Sequence, residues 1–171
     1  QDRVFSYLRL SVTDACNFRC VYCLPDGYKK PNGASEKLTV SEIERLVAAI
    51  AEMGIWKIRL TGGEPLLRKD ILDIVRVVHR TPGIERVALT TNGYRLEPLV
   101  EDLYEAGLRA LNVSIDSLDR EHFAKITGRD RLPEVLGALE NASRVGFKTL
   151  KVNTVLLKEF NHDQIERFVE W

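Results

Sequence analysis

The sequence lacks an excess of charge of either sign, and it lacks a long apolar run. Its 25 lysines and arginines are matched by 25 aspartates and glutamates over 171 residues. Balanced charge removes the electrostatic basis for a nucleic-acid or membrane-surface partner as the main function. A membrane-spanning helix needs about 20 consecutive apolar residues, and no such run exists. The opening Gln1-Asp2-Arg3 has no signal-peptide core, so nothing argues for export and the cytoplasm is the expected compartment. No Met opens the chain. The segment Asp163 to Trp171 reads as an amphipathic helix that stops without a cap or a breaker, so the sequence reads as a piece of a longer protein.

Cysteine is scarce. The chain has three, Cys16, Cys20 and Cys23, all within eight residues. An odd number cannot pair fully within the chain, and such close spacing makes a poor disulfide staple. Reduced thiols are the better reading. The histidines, His79, His122 and His162, lie far from them in sequence.

What the sequence does have is a rhythm. A strand followed by a helix recurs, with no solenoid-type repeat. Strands are expected over Tyr7 to Thr13, Trp56 to Thr61, Val87 to Thr91, Ala110 to Ile115 and Leu150 to Val155. Helices are expected over Ser41 to Met53 (Thr39 as N-cap, Gly54 beyond the end), Asp70 to His79, Glu97 to Ala106, Asp119 to Ile126, Pro133 to Val145 and the final segment. Asp14 to Thr39 is expected to be a long loop, with a turn at Pro31-Asn32-Gly33.

Such alternation implies parallel strands joined by right-handed crossovers. Each strand is apolar on one face and polar on the other. Leu8, Leu10 and Val12 alternate with Arg9, Ser11 and Thr13; Ile58 and Leu60 with Lys57, Arg59 and Thr61; Leu111, Val113 and Ile115 with Asn112, Ser114 and Asp116. A doubly wound sheet, covered on both faces, would be apolar throughout. A tightly filled barrel would hold Val, Ile and Leu inside. The pattern instead fits a wide or incomplete barrel with apolar faces toward the helices and polar faces toward a ligand cavity. An antiparallel sheet with one wet face is the rival.

The segment Cys16-Asn17-Phe18-Arg19-Cys20-Val21-Tyr22-Cys23 follows the C-terminal end of the first strand. Thiolates are the usual ligands of iron–sulfur clusters, and three leave one iron of a cubane open to a small chelating ligand. A structural zinc site would need a fourth ligand, which this loop does not offer. At the end of the second strand stands Thr61-Gly62-Gly63-Glu64-Pro65. Paired glycines permit close backbone approach, by a ligand or simply in a tight turn, and a carboxylate can receive an ammonium.

The CX3CX2C spacing, with an aromatic before the last cysteine, resembles the signature of radical S-adenosylmethionine enzymes. The similarity extends through Leu8 to Asp14, Leu60 to Leu66, Thr90-Thr91-Asn92-Gly93, Asn112 to Leu118 and Lys151-Val152-Asn153, which resemble the GTP 3′,8-cyclase family of molybdenum-cofactor biosynthesis. The resemblance implies an α/β fold, an incomplete (β/α)6 TIM-like barrel with about five strand–helix units present. It implies one partial core domain over 1–171. The sixth strand, and a C-terminal region carrying a second [4Fe-4S] cluster, lie outside this sequence.

By the same resemblance, Cys16, Cys20 and Cys23 hold a [4Fe-4S] cluster, and Tyr22, Gly63 and Ser114 contact S-adenosylmethionine. Arg9, Arg59, Thr90 and Lys151 contact GTP. Three of these are cations expected on the polar face, which suits a triphosphate, although a salt bridge to Asp116 or Glu64 would explain any one of them. No side chain stands out as a general acid or base beyond the cluster. A one-electron donor such as flavodoxin or ferredoxin is implied, and the product would be (8S)-3′,8-cyclo-7,8-dihydroguanosine 5′-triphosphate. The alternatives are a relative that modifies a peptide or another small molecule, and a structural metal-binding module. Oligomeric state stays open, a homodimer included.

Overall fold

A computed structural model of the chain describes residues 5–30 and 37–171; the Pro31-Asn32-Gly33 turn lies outside the described residues. Five strands, β1 (Tyr7–Ser11), β2 (Lys57–Thr61), β3 (Arg86–Thr91), β4 (Ala110–Ser114) and β5 (Thr149–Asn153), form one sheet in the order β1-β2-β3-β4-β5. Every pairing is parallel, which removes the antiparallel rival. Spatial order follows chain order without reversal. A doubly wound sheet needs a reversal to place helices on both faces. Right-handed crossovers in unbroken order keep the helices on one face, as in a segment of a barrel wall.

The helices are α1 (Val40–Glu52), α2 (Ile71–Arg80), α3 (Val100–Glu105), α4 (Arg120–Thr127), α5 (Leu132–Val145) and α6 (Ile165–Glu170). Sequence punctuation sets their ends. Thr39 and Glu42 form a capping box on α1: the Glu42 N–H donates to Thr39 Oγ1 at 3.3 Å and the Thr39 N–H donates to Glu42 Oε2 at 2.8 Å. Gly146 ends α5 in the left-handed conformation at φ 96°.

The core sits between sheet and helices. Ile58, Leu60, Val87, Leu89, Leu111 and Val113 are buried on the apolar face. Ile43 and Val47 of α1, Ile74 and Val78 of α2, Leu103 of α3 and Val135 and Leu139 of α5 belong to the same cluster. Burial of this apolar surface is the main favourable term in folding.

Several boundaries differ from the sequence-based expectation. β1 and β5 are shorter, ending at Ser11 and Asn153 rather than Thr13 and Val155. β5 stops because its partner strand stops: Ser114 pairs with Asn153 at the end of the β4–β5 ladder. The third helix is not continuous from Glu97. A 3-10 turn, Glu97–Leu99, precedes α3, with Pro98 lacking the N–H that a regular helix would use. The final helix likewise opens with a 3-10 turn, His162–Gln164.

Arg68 ties three segments together from a buried position. Its NH1 donates to the carbonyls of Val12 (3.0 Å) and Leu38 (2.9 Å), and its Nε donates to Asp70 Oδ1 (2.8 Å). Arg68→Met leaves the Val12 carbonyl without its partner, and we expect a loss of about 2–4 kcal/mol in urea unfolding. The Arg68 guanidinium also holds the Asp70 carboxyl below its ordinary value. Its contribution is therefore complete above the unfolded value of about 3.9 and fades as pH falls through the lower folded value. Arg68→Met should flatten that part of the stability–pH curve, and an unchanged curve would show the pair to be idle.

Candidate functional site

The cysteine loop leaves β1 and is fixed at its centre by a buried aromatic. Phe18, at 2% exposure, stacks on Tyr94 (centroids 6.2 Å apart) and meets Phe123 of α4 edge-on at 6.0 Å. On the C-terminal side of Phe18 the backbone docks on the end of α4: the Arg19 and Val21 N–H groups donate to Thr127 and Ile126 carbonyls, both at 2.9 Å. Cys20 begins a turn in which the Cys23 and Leu24 N–H groups return to its carbonyl. Cys16 and Cys20 are half-buried, Cys23 is exposed, and all three thiols are free.

Burial raises the Cys16 thiol, aided by the charges of Glu64 and Cys23. Cys20 is pushed up to about 12, first by burial and then by the charges of Asp116, Cys16 and Cys23. The three sulfurs thus lie within one another's field and repel as thiolates. A bound cation reverses that balance and displaces the protons.

The Gly-Gly-Glu turn after β2 is joined to this loop. Gly63 N–H donates to the Thr13 carbonyl and Glu64 N–H to the Ala15 carbonyl, both at 2.7 Å. A Cβ on Gly63 would sit inside contact distance of the Ala15 and Asp14 carbonyl oxygens. The glycine is therefore required by the approach of the cysteine loop's own backbone, a tighter constraint than the ligand approach or plain turn that the sequence suggested. Glu64 also differs from expectation. It is 1% exposed, and its carboxylate accepts from Leu66 N–H (2.9 Å), Thr91 Oγ1 (2.8 Å) and Asn92 N–H (2.7 Å). Those donors replace the ammonium that the sequence offered it.

The expected anion-binding residues share the helix-free face of the sheet. Arg9 and Arg59 are register partners. Arg59 donates through Nε to Tyr7 Oη at 2.7 Å and through NH1 to Thr90 Oγ1 at 3.3 Å. Thr90 pairs with Asn112, which pairs with Lys151, so these residues form a second row across the sheet. Among the described residues, none of Arg9, Arg59 and Lys151 is in an ion pair. The carboxylates that could have neutralised them are engaged elsewhere, Glu64 as above and Asp116 with Tyr22 and Val155. Lys57, read from the sequence as lying on that polar face but not counted among the anion-binding residues, is a fourth cation there. Burial lowers its ammonium, followed by repulsion from Arg59, Arg86 and Lys151. Its position in strict alternation with Ile58 was the signal. Ser114 closes β4, in register with Asn153.

The cysteine loop and the Gly-Gly-Glu turn thus meet at the C-terminal ends of β1 and β2, and Arg9, Arg59 and Lys151 stand in mid-strand on the polar face of the same sheet. A family model described as the radical SAM superfamily matches residues 10–171. The chain belongs to the radical SAM superfamily. It is also similar to curated proteins named GTP 3′,8-cyclase: 57% identical over 169 residues to that of Tolumonas auensis, covering 99% of this chain and 50% of the relative. Those of Aeromonas hydrophila and Vibrio cholerae are each 53% identical, again over 99% of this chain and 51% of theirs. The chain thus spans about half the length of the curated relatives it matches.

Among solved structures, Streptococcus suis SuiB bound to S-adenosylmethionine aligns over 96% of this chain and 37% of its own, at 20% identity and a TM-score of 0.81. Native anSMEcpe with bound AdoMet aligns over 96% and 48% at 16% identity and a TM-score of 0.76. These establish the likeness of fold, a parallel part-barrel. Family membership brings an iron–sulfur cluster and S-adenosylmethionine as cofactors. The donor set fits the cluster. Three free thiols share one loop. Among the described residues no three His, Cys, Asp or Glu side chains gather round a single metal-ion position. A cubane asks instead for thiolates spread over three irons. No described helix is long and apolar enough to cross a membrane.

Gly63→Ala should force the Gly-Gly-Glu turn away from the cysteine loop, and iron content after anaerobic reconstitution should fall several-fold. Gly54→Ala is the control, since its added Cβ meets nothing within 4 Å; only the strain of a positive φ, about 1–2 kcal/mol, remains there. Equal iron content in the two variants would show that the close approach is not needed.

Proposed function

We propose that the chain is the radical-generating part of a GTP 3′,8-cyclase. The observation that carries this reading is a three-cysteine loop set on a sheet with an open polar face, whose cations Arg9, Arg59 and Lys151 have no carboxylate partner among the described residues. The curated relatives of that name support it.

Cys16, Cys20 and Cys23 hold a [4Fe-4S] cluster through three irons. The Tyr22 backbone, Gly63 and Ser114 line the place of S-adenosylmethionine at the ends of the loop, β2 and β4. When bound and reduced by a donor such as flavodoxin or ferredoxin, the cluster and S-adenosylmethionine supply a 5′-deoxyadenosyl radical. The chain's own residues bind and orient. Arg9, Arg59 and Lys151 match the charge of a triphosphate, and Thr90, already tied to Arg59, offers its hydroxyl beside them. Placement of the GTP ribose beside the radical source contributes through proximity, since a held reactant needs no further ordering. A second cluster belongs, in this reading, to the part of the protein beyond this chain.

Two experiments test the assignment. Reconstitution with iron and sulfide without oxygen should give about four irons per three-cysteine site. Cys16→Ala, Cys20→Ala and Cys23→Ala should each abolish release of 5′-deoxyadenosine; tightly held zinc in place of iron, or turnover in any of the three, would refute the cluster. In the full-length protein, Lys151→Ala or Arg59→Ala should weaken GTP binding by about 1.5–3 kcal/mol. Unchanged GTP affinity would point to a different substrate.

A further inference from the structure

The proposed function uses the backbone of Tyr22 and leaves its hydroxyl without a role. That hydroxyl donates to Asp116 Oδ2 at 2.6 Å, across 94 residues of sequence. Asp116 stands two residues beyond the end of β4 and is 3% exposed. Its other oxygen, Oδ1, accepts from the Val155 N–H at 2.9 Å, and its carbonyl accepts from Asn161 Nδ2. Held at both ends, the carboxylate is fixed in rotation and aims Oδ2 at the cysteine turn.

Tyr22 is 42% exposed, so packing restrains it only in part. Up to Val21 the loop is held by Phe18 and by backbone bonds to α4. From Tyr22 to Gly27 the backbone bonds are local, running to Cys20 and Leu24. Among the described residues, the Tyr22 hydroxyl makes the one hydrogen bond that leaves this stretch for the sheet.

We infer that Asp116 is a positioning residue: by holding the Tyr22 hydroxyl it fixes the Cys20–Cys23 turn against β4, and with it the backbone edge that receives S-adenosylmethionine. The inference rests on the cofactor reading given under Proposed function. A tether of this kind lowers the ordering cost of binding, so its loss should fall on cofactor affinity. It also gives a physical reason for tyrosine at this position, since phenylalanine would supply the ring without the donor.

The test uses the full-length protein with Tyr22→Phe, Asp116→Asn and the double variant. Tyr22→Phe removes one oxygen from a half-exposed side chain and leaves the core untouched. In metal-free protein, amide hydrogen exchange over residues 22–27 should quicken about tenfold in Tyr22→Phe, with α1 and α5 unchanged. In reconstituted protein, the KM for S-adenosylmethionine in reductive cleavage should rise about tenfold. Iron content should hold, and the loss should fall on KM more than on kcat. The double variant should be no worse than the poorer single variant by more than about twofold, because both substitutions act on the same contact. Unchanged exchange and KM in Tyr22→Phe, or losses that multiply in the double variant, would overturn the inference. A wild-type protein that takes up no cluster would sink the cofactor reading instead, and the exchange comparison on metal-free protein would still judge the tether.

Discussion

Two backbone hydrogen bonds, Gly63 to Thr13 and Glu64 to Ala15, are the constraint on which the site depends. They press the turn after β2 against the loop after β1, so closely that a single methyl group at residue 63 would collide with two carbonyl oxygens. The Glu64 carboxylate then fixes the far side of the same turn by taking the Leu66 and Asn92 N–H groups and the Thr91 hydroxyl. A buried carboxylate without such donors would be costly, and three of them make it a knot joining the ends of β2 and β3, to which the Glu64 N–H adds the loop after β1. The cysteines inherit their placement from this knot. Cys16 follows the junction directly, and Phe18 then carries the chain to α4.

Much of the fold could be read from the sequence because its signals are local. The alternation of Ile58 and Leu60 with Lys57, Arg59 and Thr61 states both the strand and its two unlike faces. Thr39 with Glu42, and Gly146 after Val145, state helix ends. Element boundaries shifted where a distant partner or a proline decided them, as at β5, which ends with β4, and at Pro98, which splits the third helix. The candidate site divides in the same way. The cysteine trio is contiguous and therefore legible. Glu64 misled, because a carboxylate beside two glycines looks available until Thr91 and Asn92 arrive from β3 to occupy it. Asp116 and Tyr22 are separated by 94 positions, and only the assembled fold reveals that they touch.

The order of the strands explains why the cysteine loop and the Gly-Gly-Glu turn lie at one end of the sheet and the cations on one face. Parallel strands place all their C-terminal ends together, and unbroken order leaves no switch point at which a second crevice could open. The helix-covered face is committed to the core, so charged side chains can gather only on the other. Burial lowers the Lys57 ammonium, and repulsion from Arg59, Arg86 and Lys151 adds to it. Glu64 and Asp116 are already engaged with hydrogen-bond donors and, among the described residues, form no ion pair with these cations. The apolar face thus builds the wall, while the polar face keeps a concentration of positive charge.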